Sequence, residues 1–335
     1  MTTDQVSQLE YTPIPERALS AMAAEQPRMA NVPEQLAKFA SVTPLEGNHD
    51  GEVEVLGDVE VVHRFVEAEG DSETVRWHLV EAGEGEPVVF LHGLPESWFM
   101  WHRQIAALAK THRLIAIDLK GYGQSDKKTG DYRQEGVAAQ LLNLLDKLDL
   151  DRFNLVTHDR GTAIADYLGA NNPSRVLRYL RGEQHLHHFH PDLSPQERLF
   201  TDPARSVILG QPHSIVLGAY TSIAHYPIAD DDISRTIQEF SYPQIGWAVP
   251  RYFGASSFRK EWIDRRTRLM QAWDFPVLVM QGYHDPRQPR EFYEGIEGHM
   301  PSAKVALIDA GHFFVFENPD ETTKVISNFL AASTS

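Results

Sequence analysis

Six short runs of branched aliphatic residues punctuate the chain: PVVFLH (87–92), RLIAID (113–118), FNLVTH (153–158), VLRYLR (176–181), PVLVMQ (276–281) and KVALID (304–309). Runs rich in Val, Ile and Leu, continuous rather than alternating, mark strands covered on both faces, as in a mainly parallel sheet. Between them, SWFMWHRQIAALAK, GVAAQLLNLLDKL and GTAIADYLGA place apolar residues at helical spacing. Strand and helix in alternation specify an α/β protein with helices flanking a central sheet. Two earlier segments, VEVLGDVEVVHRFVEA and TVRWHLVEAG, alternate partly with period two and predict an antiparallel entry to that sheet.

The alternation stops near Arg181 and resumes near Phe275, leaving about 90 residues with little strand pattern. QERLF, DDDISRTIQEF and FRKEWIDRRTRLMQAW in this stretch, with Pro at 191, 195, 203, 212, 227, 243 and 250, predict an inserted, mainly helical cap over 184–270. The core then comprises 51–183 and 271–335. Ahead of it, residues 1–50 form an extension in which ERALSAMAAEQPRM and VPEQLAKFA predict two short helices. Such an arm could be purely structural, pack over the cap, or mediate self-association as a homodimer.

A chain of 335 residues buries enough apolar surface to fold without disulfides or structural zinc, and it contains no cysteine at all. Thiol nucleophiles, thiolate metal sites and disulfide scaffolds are therefore excluded. The net charge of −16 repels phosphate backbones and anionic lipid, and no local basic patch offsets it, so neither nucleic acid nor membrane is an expected partner. The start, MTTDQVSQLEYTPIPERALS, lacks the basic and apolar regions of a signal peptide, and no apolar run reaches membrane-spanning length. A soluble, cytoplasmic protein acting on a small molecule is expected.

The strongest chemical signal is VTHDRGTA (156–163), where a predicted strand meets a predicted helix through Thr157-His158-Asp159-Arg160-Gly161. A sharp strand–turn–helix reversal presents its middle residue above the carboxyl edge of a sheet. That residue is Asp159, and no GxSxG occurs in the chain, which disfavours a serine esterase. A carboxylate so placed can attack an electrophilic carbon and form an ester that water then hydrolyses. Taken alone, the pentapeptide is equally compatible with Asp159 as a helix N-cap.

Two further motifs decide between these readings: HGLPESWFMWHRQ after the strand ending at Leu91, and DLKGYGQSDKK after the strand ending at Asp118. With them the sequence resembles the α/β-hydrolase superfamily, and within it the epoxide hydrolases and the haloacid or haloalkane dehalogenases that use an Asp nucleophile. The HGxPExWxxW and GYGxSDK runs are most similar to epoxide hydrolases. The resemblance spans about Val75 to Leu330 and is weakest in the cap.

The resemblance implies an oxyanion hole from the backbone N–H groups of Leu94 and Arg160, with Gly93 permitting the close backbone approach. It implies His312, in IDAGHFFVFENPDE, as the base that activates water. The acid that orients His312 has two candidates: Asp285 after the penultimate strand, the first choice, and Glu183 at the end of the preceding strand. Tyr252 fits one cap position from which epoxide hydrolases donate a proton to the opening ring. The second such position falls near Arg205, with Tyr220 and Tyr226 further along and no Tyr or His beside it. His92, Trp98, Arg160, Arg205 and Phe313 are candidate substrate contacts. Arg160 could hold a substrate carboxylate, as in fluoroacetate dehalogenases, but the second Arg of that family, four residues past the nucleophile, is here Ala163.

No cofactor is expected, since GYG at 121–123 lacks the third glycine of a dinucleotide loop. The His-rich run 183–190 has no second ligand cluster, so no catalytic metal is expected either. The main expectation is an epoxide hydrolase working through an Asp159 ester. A dehalogenase of a small halogenated acid is the rival enzyme. A catalytically weak α/β-hydrolase fold that binds a ligand is the rival outside catalysis.

Overall fold

The runs of Val, Ile and Leu become the centre of one nine-stranded sheet in the computed structural model, which describes residues 14–17, 19, 31–70, 73–128, 130–184, 186, 188–190, 201, 210–300 and 302–332. The strands are β1 (Val53–Leu56), β2 (Val59–Glu69), β3 (Thr74–Ala82), β4 (Glu86–Leu91), β5 (His112–Ile117), β6 (Phe153–His158), β7 (Val176–Gly182), β8 (Val277–Gly282) and β9 (Ala303–Ile308). Their spatial order is β1-β2-β3-β5-β4-β6-β7-β8-β9. β1, β2, β3 and β5 pair antiparallel, as the period-two segments predict, and every contact from β5 to β9 is parallel. The fold is that of an α/β hydrolase.

Helices cover both faces. In chain order they are α1 (Val32–Lys38), α2 (His102–Leu108), α3 (Gln134–Lys147), α4 (Arg160–Asn171), α5 (Pro212–Ile223), α6 (Asp230–Glu239), α7 (Ile245–Ala255), α8 (Phe258–Asp264) and α9 (Pro319–Ala331). α8 runs on through a π-helical turn at Arg265–Leu269, and shorter turns complete the connections. Packing on both faces explains why all six residues of β6 and of β8 are buried. Each fully buried Val, Leu or Ile contributes ~1.5–3 kcal/mol, so this central layer dominates the favourable side of folding.

Chain order sets where a site can form. After β4 the chain steps to β5 on one side, then returns to β6 on the other, so a crevice opens at the carboxyl ends of β4 and β6. The loops carrying Leu94, Asp118, Asp159, Glu183, Asp285 and His312 all follow the carboxyl ends of strands. α5 to α8 are inserted between β7 and β8, and α1 lies against α5, with Lys38 Nζ donating to Asp230 Oδ1 at 2.6 Å and His213 Nε2 bonded to Val42 O at 3.1 Å. Among the described residues no helix is long and apolar enough to cross a membrane.

The insertion is tied to the core by buried charge. Asp166 on α4 accepts from Arg181 of β7, Nε to Oδ1 and the terminal nitrogen to Oδ2, both at 2.9 Å. It also accepts from Arg265 Nε beyond α8 at 2.5 Å. Burial opposes ionisation of Asp166, but the two guanidinium charges outweigh it and hold its pKa below the usual value. Removing one partner of a buried pair strands the others, at a cost of about 3–5 kcal/mol. Asp166→Ala should therefore lower unfolding stability by about that amount in denaturant titration, whereas an exposed pair such as Lys110–Asp58 should contribute under about 1 kcal/mol.

Candidate active site

Asp159 sits between the last residue of β6 and the first of α4 with φ 46° and ψ −117°. An L-residue in this region is strained, and strain of about 1–3 kcal/mol persists only where the surroundings over-determine it. They do so here on three sides. A Cβ on Gly93 would lie 2.4 Å from Asp159 Cβ, and one on Gly161 would lie 2.6 Å from the His92 carbonyl, so neither position accepts a side chain. Asp159 N donates to Gly182 O at 3.2 Å, fastening the turn to the next strand.

The half-buried Asp159 carboxylate is held at both oxygens. Leu94 N donates to Oδ1 at 3.0 Å, and Gln184 Nε2 donates to Oδ2 at 2.9 Å. The Leu94 amide thus faces the Asp159 carboxylate. Arg160 is the first residue of α4, where N–H groups have no partner within the helix, and its amide makes no bond to Asp159. Gln184 carries no motif and is absent from the expected site. Its backbone is left-handed at φ 92°, beside Glu183 at φ 53°. Arg181 NH1 at 2.8 Å and Tyr293 Oη at 3.2 Å both donate to its carbonyl.

His312 Nδ1 meets both candidate acids. It donates to Asp285 Oδ2 at 3.1 Å and contacts Glu183 Oε2. Asp285 is further held by Gln281 Nε2 on Oδ2 and by the backbone N–H groups of Arg287 and Gln288 on Oδ1. Burial opposes ionisation of Asp285, but His312 and these donors outweigh it and hold the carboxyl below its usual range. Burial and the Asp285 charge push Glu183 well above that range. Burial disfavours the imidazolium, yet the paired carboxyls hold His312 well above its ordinary value. The two carboxyls form a pair behind His312, with Asp285 held toward its ionised form and Glu183 pushed toward its neutral one.

Around this centre the remaining candidates take different places. His92 accepts from Leu119 N at Nε2 and donates from Nδ1 to Gly93 O, so both ring nitrogens brace backbone. Trp98 is buried beside His63, 5.5 Å between centroids, with its backbone N–H on Asp118 Oδ1 at 2.9 Å. Phe313 lies against His312 at 4.9 Å and Tyr220 at 4.6 Å. Tyr252 does not point its hydroxyl at Asp159: Oη donates to Lys120 O at 2.5 Å. The Arg160 guanidinium is not free either. It pairs in two-pronged fashion with Glu261 of α8 at 2.8 and 3.2 Å, both residues 1% exposed. Tyr226 Oη donates to Asp309 Oδ1. Arg205 lies outside the described residues.

A further buried acid lies within a sequence motif that by itself assigns it no role. Glu96, in HGLPE, accepts at Oε1 from Tyr220 Oη at 2.7 Å, while its Oε2 has no partner among the described residues. Burial, against the lowering effect of the Tyr220 bond and of the His312 charge, pushes its pKa up to about 8. That shift favours its neutral form near pH 7, and the charges of His312 and Asp159 both act on it.

His158, Glu183 and His312 offer ligand atoms within 4.8 Å of one another. His158 Nε2 is bonded to His312 O at 2.9 Å and Glu183 Oε2 contacts His312 Nδ1, while His158 Nδ1 has no hydrogen-bond partner among the described residues.

A family model described as the alpha/beta hydrolase fold matches residues 86–195. A cis-3-alkyl-4-alkyloxetan-2-one decarboxylase of Shewanella oneidensis is 30% identical over 274 residues, which are 76% of this chain and 84% of that protein. A haloalkane dehalogenase of Agrobacterium fabrum is 39% identical over 215 residues, 61% of this chain and 71% of that protein. An epoxide hydrolase of Siraitia grosvenorii is 30% identical over 169 residues, 50% of this chain and 52% of that protein. The crystal structure of a mutant epoxide hydrolase from Bacillus megaterium superposes with a TM-score of 0.71 at 22% identity, covering 80% of this chain and 100% of that one.

Asp285→Asn removes the charge that holds the imidazolium, whereas Glu183→Gln replaces a carboxyl that is already neutral. The His312 pKa followed by NMR should fall in the first variant and move little in the second. It should fall furthest in the double variant, where no carboxyl remains to take up the charge. A larger drop in Glu183→Gln than in Asp285→Asn would place the charge on Glu183 instead.

Proposed function

Because the chain belongs to the α/β-hydrolase superfamily, in the group that includes epoxide hydrolases and dehalogenases, we propose that it is an epoxide hydrolase working through an ester on Asp159. The observation that carries this reading is a carboxylate at the elbow with one oxygen in a backbone N–H hole, beside a His–carboxyl dyad and a buried neutral acid. Asp159 Oδ2 attacks an oxirane carbon, forming the C–O ester bond as the ring C–O bond breaks. The released oxygen needs a proton, because an alkoxide is a poor leaving group. Glu96 supplies it from Oε2, the oxygen that Tyr220 leaves free.

In the second half-reaction His312, having released its imidazolium proton to solvent, takes a proton at Nε2 from water, which attacks Asp159 Cγ. Negative charge then develops on Oδ1, where the Leu94 N–H already points, and one such donor is worth roughly 2.7–4 kcal/mol. Collapse breaks the ester bond, and His312 returns its proton to the departing diol oxygen. The remaining proton on the Asp159 carboxyl passes through solvent to Glu96, so the cycle closes with one water consumed.

The neutral Glu96 also favours this reaction over the dehalogenase reading, since a halide leaves without a proton. Arg160 argues in the same direction. A guanidinium neutralised by Glu261 offers no anchor to a substrate carboxylate, so an uncharged substrate fits the cap better than a halogenated acid. Burial opposes the charge on Arg160, but Glu261 outweighs that cost and keeps the guanidinium protonated.

Single turnover in heavy-oxygen water should place label in the peptide containing Asp159, and His312→Gln should let the ester accumulate as a mass increase equal to the substrate. Asp159→Asn should lower kcat by at least about 10⁴-fold in an assay of epoxide consumption. Release of halide from uncharged haloalkanes at a higher kcat/KM than epoxide opening would instead support the dehalogenase reading. Unlabelled Asp159 after turnover would remove the ester route.

A further inference from the structure

We propose that Gln184 chooses the attacking oxygen of Asp159, holding Oδ2 toward the substrate while Oδ1 stays in the backbone hole. The inference rests on the Asp159-ester reading and adds a residue that touches a reacting atom. A free carboxylate has two equivalent oxygens and can rotate about its Cβ–Cγ bond. Here the two are made unequal, because Leu94 N–H takes Oδ1 at 3.0 Å and the Gln184 carboxamide takes Oδ2 at 2.9 Å.

The carboxamide is built into this position. Gln184 is 5% exposed and adopts φ 92°, a left-handed conformation that a non-glycine residue keeps only under constraint. The constraint is visible: Arg181 and Tyr293 both donate to its carbonyl, and Arg181 is itself locked by Asp166. The second N–H of the carboxamide has no acceptor among the described residues, so it remains available to an oxygen of the substrate beside Oδ2.

The consequence differs between the two half-reactions. In ester formation the lone pair of Oδ2 must point at the oxirane carbon, and Gln184 holds the carboxylate plane in that orientation. In ester hydrolysis Oδ2 is the neutral bridging oxygen, a weaker acceptor, and the carbonyl oxygen that gathers charge is Oδ1. Loss of Gln184 should therefore slow the first step and leave the second nearly untouched. A general role in folding would slow both.

The test uses the His312→Gln protein, in which ester persists and its formation is timed by intact-protein mass with styrene oxide as probe. Adding Gln184→Met, which keeps length and removes the N–H, should slow ester formation by about 10–100-fold, the range expected for one misplaced reacting group. With His312 intact, hydrolysis of ester formed on Gln184→Met should stay within about threefold of the parent rate. Gln184→Glu supplies a control that folding defects cannot mimic. Its carboxyl can donate to Oδ2 only when protonated, so its deficit in ester formation should shrink as pH falls, while that of Gln184→Met should not. Ester formation by Gln184→Met within about twofold of the parent rate overturns the proposal and leaves the ester reading intact. If the His312→Gln protein with Gln184 present forms no ester with oxirane, haloalkane or β-lactone probes, the ester reading falls and this proposal with it.

Discussion

Everything at the candidate site depends on one strained turn, the reversal at Asp159 between β6 and α4. Its φ of 46° and ψ of −117° turn the side chain out over the carboxyl edge of the sheet. That conformation is unfavourable for an aspartate, and the fold offsets it by denying every alternative. Gly93 and Gly161 leave no room for relaxation, β6 is buried along its whole length, and the Asp159 amide is bonded to β7. The same reversal sets the Asp159 carboxylate against the Leu94 amide, so the strained turn and the bond to Oδ1 arise from one piece of geometry.

Around that turn the chain accepts an unusual amount of buried charge. Arg160 pairs with Glu261, Glu261 approaches Arg265, Arg265 pairs with Asp166, and Asp166 pairs with Arg181. Buried pairs of this kind add little net stability, because desolvation roughly cancels the attraction. Their effect is positional. Arg181 reaches from this network to the carbonyls of Glu183 and Gln184, the two left-handed residues that face His312 and Asp159. One network thus fastens α8 to the residue after Asp159 and also sets the loop that carries Glu183 and Gln184.

Protonation is organised by the same burial. Three buried carboxyls interact with His312 in a low-dielectric setting, and each settles according to its donors. Asp285 has two backbone N–H groups, an amide and the imidazole, and stays ionised. Glu183 and Glu96 have fewer, and both are pushed upward by burial. The arrangement separates an acid held toward its charged form beside His312 from acids pushed toward their neutral form.

The strands, their order of appearance and the Asp, His and HGLP motifs were legible because each is local. Runs of Val, Ile and Leu report burial on two faces, and β4 to β9 lie within one residue of those runs. Motif spacing relative to strand ends likewise placed Leu94, Asp159, Glu183, Asp285 and His312 in loops along a single sheet edge. Gln184 carries no such signal, and Glu96, though inside the HGLPE run, is assigned no role by it, since the importance of both comes from what their side chains meet. Arg160 shows the limit most plainly. Beside the nucleophile in sequence it reads as a substrate anchor, but its partner Glu261 stands 101 positions away, and no periodicity joins the two. Tyr252 similarly reads as a proton donor until its hydroxyl is found on the Lys120 carbonyl. The sequence by itself determined which residue could be the nucleophile and that the sheet would carry it, because strand burial and turn chemistry are written in neighbouring residues. Only the tertiary structure decided which charges are paired, which buried acids are pushed toward their neutral form and which donor holds each oxygen of Asp159. Those outcomes follow from desolvation and from contacts between segments that the chain brings together only on folding.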